Sequence, residues 1–124
     1  MTPQAGRSAP QGKVSPAVVD SVFRALADPT RRDVLVRLSE RSASVSDLAA
    51  TYDMALPSFM EHLKVLEGSG LVRSHKEGRV RTYELVPKQL RLAEDWLTRQ
   101  RTLWERRLDQ LDSYLMQMKQ ESEK

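Results

Sequence analysis

Residues 44–85 read SVSDLAATYDMALPSFMEHLKVLEGSGLVRSHKEGRVRTYEL, and the change of periodicity inside this stretch decides the fold. Ser44 with Asp47 three residues on resembles a capping box and opens a short helix through Leu48 and Ala49. Tyr52-Asp53-Met54 makes a brief turn. Phe59, Leu63 and Leu66 then recur at helical spacing and predict a helix over 56–67. Gly68-Ser69-Gly70 supplies the left-handed conformation that ends it. Beyond Gly70 apolar residues alternate with polar ones, predicting strands over 71–76 and 80–86 with Glu77-Gly78 at the hairpin tip.

On the N-terminal side, Ser15-Pro16 is a cap followed by a first-turn proline, and Val18, Val19, Val22, Phe23 and Leu26 continue at helical spacing. Asp28-Pro29 repeats the arrangement and starts a second helix with Val34, Leu35 and Leu38 on its apolar face. On the C-terminal side Pro87 ends the second strand, and nothing breaks a helix from there to residue 120, a rod of about 50 Å. Leu90, Leu97, Trp104, Leu111 and Met118 fall every seven residues, with Leu108 and Leu115 at the alternate position, which Glu94 and Arg101 interrupt. A domain this small leaves that seam uncovered, so it calls for another chain. The predicted fold is mainly α with a small β-hairpin, in the order α-α-α-α-β-β-α: a winged helix-turn-helix with a long C-terminal dimerisation helix. Residues 1–14 and 121–124 are expected to be disordered tails flanking one domain over 15–120.

Composition narrows the chemistry. The 124 residues carry 20 Lys and Arg against 17 Asp and Glu, a net charge of +3, too mild to argue for nucleic acid by itself. No cysteine is present, which excludes disulfides, thiolate metal sites and a cysteine nucleophile. Only His62 and His75 offer imidazole, so no metal site is expected. No nucleophile–base arrangement or glycine-rich phosphate loop marks an enzyme, and no cofactor or catalytic residue is expected. No apolar run approaches a membrane span and the start lacks the apolar core of a signal peptide, pointing to a cytoplasmic protein, nucleoid-associated when bound to DNA.

The helix after a tight turn fits the major groove of B-DNA and a hairpin wing reaches the flanking backbone, so the expected partner is double-stranded DNA. The expected reading helix offers Leu56, Pro57, Ser58, Met60, Glu61, His62 and Lys64, and the wing offers His75, Lys76, Arg79 and Arg81. The reading helix is acidic on balance, with Lys64 against Glu61 and Glu67, whereas the wing is basic. Two accounts follow. In one, Leu56 and Met60 touch thymine methyls, Glu61 accepts from a cytosine amino group, and Ser58 or His62 holds a phosphate. In the other, the helix has lost specific DNA reading and the module binds a protein. Arg31 and Arg32 reach phosphates or decorate a helix surface. Trp96 and Trp104 line a ligand pocket between subunits or pack an interface.

Three pieces of sequence resemble the ArsR family of bacterial winged-helix repressors. They are Ala27-Asp28-Pro29-Thr30-Arg31-Arg32, His62-Leu63-Lys64-Val65-Leu66 leading to Gly70-Leu71-Val72, and Gly78-Arg79-Val80-Arg81. The resemblance covers residues 16–115. It implies a homodimer joined through the first and last helices, which adds Val18 and Val22 to Leu97, Trp104, Leu108, Leu111 and Leu115 as interface residues. It also implies a palindromic operator and release of DNA on a signal whose small-molecule effector, if there is one, is unknown. Metal-sensing relatives place thiolates just before the third helix. Here Ser44-Val45-Ser46 stands there, and the last helix has no histidine, so a metal-independent type is expected.

Overall fold

The computed structural model describes residues 16–123. The Ser15 cap, the expected N-terminal tail and Lys124 lie outside them. Helix α1 (Pro16–Leu26) buries Val19, Val22 and Ala25, three residues apart on one stripe. Asp28 caps helix α2 (Pro29–Glu40): its backbone is extended and its carboxylate accepts from the Arg31 backbone N–H at 3.0 Å. Strand β1 (Ala43–Ser44) follows, and Ser44 also caps helix α3 (Val45–Ala49) by accepting from the Asp47 N–H at 3.1 Å. Sequence periodicity shows no sign of β1, because two residues carry no period.

Helix α4 (Leu56–Gly68) buries Phe59, Leu63 and Leu66. It ends in a Schellman motif: Leu71 N–H donates to the Leu66 carbonyl at 3.2 Å and Gly70 N–H to the Glu67 carbonyl at 3.0 Å, with Gly70 at φ +80. Leu66 and Leu71, which accompany the motif as its apolar pair, are both buried. The turn therefore fixes the direction in which the chain leaves α4 for the hairpin.

Strands β2 (Val72–Glu77) and β3 (Val80–Leu85) pair antiparallel, and β1 adds to the other edge of β3. Glu77 pairs with Val80, so the hairpin tip is Gly78-Arg79, one residue later than the sequence suggests. Gly78 takes φ +62 and Arg79 does not, the pattern of a type II′ turn. Helix α5 (Pro87–Ser122) runs without interruption and passes through residues 121 and 122, which were expected to belong to a tail.

The chain divides into two units, the first ending at Ala93 and the second starting at Glu94. In the first, one core gathers Val22 and Ala25 from α1, Val34 and Leu38 from α2, Leu48 from α3, and Phe59, Leu63 and Leu66 from α4. Leu71, Val72, Tyr83 and Ala93 complete it. The second unit is a helical rod. No helix among the described residues is long and apolar enough to cross a membrane.

Candidate nucleic-acid interface

The corner between α1 and α2 sets the position of α4. Arg31 donates from Nε to the Ala25 carbonyl at 2.8 Å and from Nη2 to the Arg24 carbonyl at 2.9 Å. Its third nitrogen, Nη1, lies 3.2 Å from Nδ1 of His62 on α4. Arg32 donates to the Leu26 carbonyl at 2.8 Å. Both arginines thus close the open C-terminal end of α1, whose last carbonyls have no intrahelical partner. Each guanidinium nitrogen of Arg31 thus has a partner inside the subunit, which favours the helix-surface reading over a phosphate contact there, and Arg32 has one such partner. The Asp28 carboxylate also approaches His62, at 3.7 Å. Desolvation pushes the Asp28 carboxyl up, but the Arg31 backbone N–H and the charges of His62 and Arg31 outweigh it and hold it below its ordinary value. His62 is therefore an internal tie between α4 and the α1–α2 corner.

The turn before α4 is pinned separately. Tyr52 stacks on Phe59 with ring centroids 5.2 Å apart, donates its hydroxyl to Asp33 of α2, and lies beneath the Arg37 guanidinium. Burial first, then the Asp33 carboxylate, raise the Tyr52 phenol above its ordinary range, so it stays a donor.

On the side of α4 away from the core, Leu56, Pro57, Ser58, Glu61 and Lys64 are exposed, while Met60 and His62 are turned partly inward. No side chain caps this helix: Ala55 occupies the cap position, and Asp53 does not compensate. Pro57 has no N–H, so the first turn presents the backbone donors of Leu56 and Ser58 without intrahelical acceptors.

In the hairpin, Lys76 stands directly opposite Arg81, and both share a face with buried Val72 and Tyr83. Arg81 donates to the Ser74 hydroxyl at 2.8 Å, and that hydroxyl donates to Glu67 at the end of α4, also at 2.8 Å. Lys76, Arg79 and Arg81 border a cleft of about 480 Å³ with Ser44, Ser46 and Met60. His75 pairs with Thr82 on the opposite face, so the structure separates it from the other three wing residues. Arg73, on that same outer face, is neutralised by its cross-strand partner Glu84. Neither the cross-strand cation pair nor the Arg81–Ser74–Glu67 chain was foreseen; the pair was readable only once the register was known.

Two helices joined by a pinned turn, the second exposing an uncapped end beside a basic hairpin, define a winged helix-turn-helix module of the DNA-binding class. A helix-turn-helix domain model matches residues 26–75. The chain is 52% identical to an ArsR family transcriptional regulator of known structure, RHA00566, over 74% of this chain and 95% of that one, with a TM-score of 0.71. It is 34% identical to an ArsR-like transcriptional regulator from Rhodococcus sp. RHA1, covering 78% and 89% of the two chains at a TM-score of 0.72. Among curated relatives, the transcriptional repressor SdpR of Bacillus subtilis is 29% identical over 79 residues, which are 64% of this chain and 88% of that protein. The chain belongs to the ArsR family of transcriptional regulators.

The residues expected at a subunit interface fall into two groups. Leu97, Trp104, Leu108, Leu111 and Leu115 are exposed along α5, Trp104 at 71%. In α1, Val18 is half-buried, but Val22 is 0% exposed and packs in the core of its own subunit. That corrects its assignment: a side chain with no surface left has nothing to offer a partner. Trp104 borders a shallow groove with Leu103 and Leu108 on α5, and Trp96 does not line it.

Proposed function

We propose that the protein is a homodimeric repressor that binds an inverted-repeat operator, including one upstream of its own gene, and does so without a metal. The observation that carries this reading is the trio Lys76, Arg79 and Arg81, grouped beside α4 with no carboxylate among the residues bordering their cleft. Cations left unneutralised next to a helix that offers free backbone donors suit a phosphate backbone. On α4, Leu56 and Met60 meet thymine methyls, Glu61 accepts from a cytosine amino group, and Ser58 and Lys64 hold phosphates. The apolar seam of α5 supports pairing with a second copy, because its seven large apolar side chains all stand exposed. Pairing places two recognition helices in successive major grooves about 34–36 Å apart. Hydroxyls of Ser44 and Ser46 are poor ligands for soft metals, which supports metal independence.

Titration of the labelled upstream duplex against the full chain at physiological salt tests the proposal. Binding is expected to exceed that of random duplex, and Arg79→Ala with Arg81→Ala to weaken it while making the salt slope shallower by roughly one to two. Equal affinity for random DNA, with a slope unchanged in the double variant, would refute it and favour a protein-binding module.

A further inference from the structure

We infer that the cleft between α4 and the wing is a binding site for a small phosphomonoester, whose occupancy competes with DNA; the competition rests on the function proposed above. Three observations converge there. First, Lys76 and Arg81 are held directly opposite each other on one face of the ladder. Like charges in that position repel, and a bound anion removes the repulsion. Arg81 has a single neutral acceptor, the Ser74 hydroxyl, while Lys76 and Arg79 make no hydrogen bond or ion pair among the described residues. Second, the contrast on the other face is sharp: Arg73 opposite Glu84 is paired, so the cleft is the place where this hairpin leaves its charge unbalanced.

Third, the cleft has both a polar and an apolar wall. Ser44 and Ser46 present hydroxyls, whereas Val45, Met60 and Val80 present hydrocarbon, around a space of about 480 Å³. That is the size and mixed lining of a site for a small organic ligand rather than for a bare ion. A DNA phosphodiester carries one negative charge and a phosphomonoester carries nearly two at neutral pH. Three cations with no carboxylate among the residues bordering the cleft therefore favour the monoester. Because the same cations face the DNA backbone in the proposed complex, a monoester seated among them displaces it.

The experiment uses the full chain and two probes, phenyl phosphate and diphenyl phosphate, at constant ionic strength. Backbone NMR titration with phenyl phosphate is expected to shift residues 44–46 and 76–81 saturably, at least about tenfold tighter than with the diester. Lys76→Gln with Arg81→Gln is expected to weaken phenyl phosphate binding about tenfold or more without lowering Tm, since it also removes the like-charge pair. Phenyl phosphate is expected to release the upstream duplex at the concentration at which it fills the cleft. No saturable shift, equal affinity for the diester, or unchanged binding in the double variant overturns the site. Filling of the cleft without release of duplex overturns the competition. Failure of the wild type to bind duplex at all refutes the DNA reading instead, and leaves the phenyl phosphate titration to decide the site by itself.

Discussion

Replacing Arg31 by methionine keeps most of the aliphatic stem and deletes every donor, so it isolates what the guanidinium does. The wild-type group gives two hydrogen bonds to the open end of α1, at 2.8 and 2.9 Å, and a third contact to His62. Charged donors are worth more than neutral ones, but part of this site is exposed, and water replaces some of the lost bonds. A loss of roughly 1 kcal/mol for each carbonyl bond gives about 2–3 kcal/mol in all once the His62 contact is included. For a domain of this size that is a fall in Tm of about 8–15 °C, read by circular dichroism at matched protein concentration. Arg32→Met, which removes one exposed bond, is expected to cost less than about 1 kcal/mol. The DNA readout separates the two roles. A structural Arg31 leaves the salt slope of duplex binding unchanged below the new Tm, whereas a phosphate contact lowers it by about one. Unchanged stability together with a lowered slope would refute the placement of Arg31 at the helix corner.

Further expectations concern other parts of the chain. Gly70→Ala places a Cβ at φ +80 and against the Gln89 side chain, and should cost about 1–2 kcal/mol in urea unfolding; an unchanged midpoint would contradict the left-handed cap. Asp28 has a depressed carboxyl, so its contribution to stability is complete above the ordinary carboxylate range and disappears as pH falls through its lower folded value. The stability gap between wild type and Asp28→Ala should accordingly be present above the ordinary carboxylate range and close as pH falls through the folded value of Asp28; a gap that persists below it would contradict the depressed carboxyl. Leu111→Asp, at an exposed seam position of α5, should yield a monomer by sedimentation, while a wild type already monomeric would remove the seam as an interface.

Much of this architecture was legible because its signals are local. Proline after a capping residue, the Gly68-Ser69-Gly70 stop and the switch from helical to alternating spacing are each written within a few residues. What escaped depends on partners far away in sequence. Ala43 and Ser44 become a strand only because Tyr83 and Thr82 lie beside them. Val22 and Val18 share a helix face by spacing, yet only the packed core decides that the first is sealed and the second half-open. Arg31 and Arg32 illustrate the same limit for function. Their charge is visible in the sequence, but the carbonyls that occupy it belong to the preceding helix and are presented only after the α1–α2 corner has formed. Conversely Lys76 and Arg81 look like ordinary alternating surface charge until the register sets them face to face.

Ser44 is at once the last residue of β1, opposite Thr82, and the cap of α3. No linker separates the strand from the helix, so the rung and the cap cannot be adjusted independently. An insertion between residues 44 and 45 must surrender one of them, whereas extra residues at the exposed hairpin tip, Gly78-Arg79, leave both in place. An engineered insertion is therefore better tolerated at the hairpin tip than at the junction of strand and helix. The edge of the sheet, by contrast, stays tied to the start of α3.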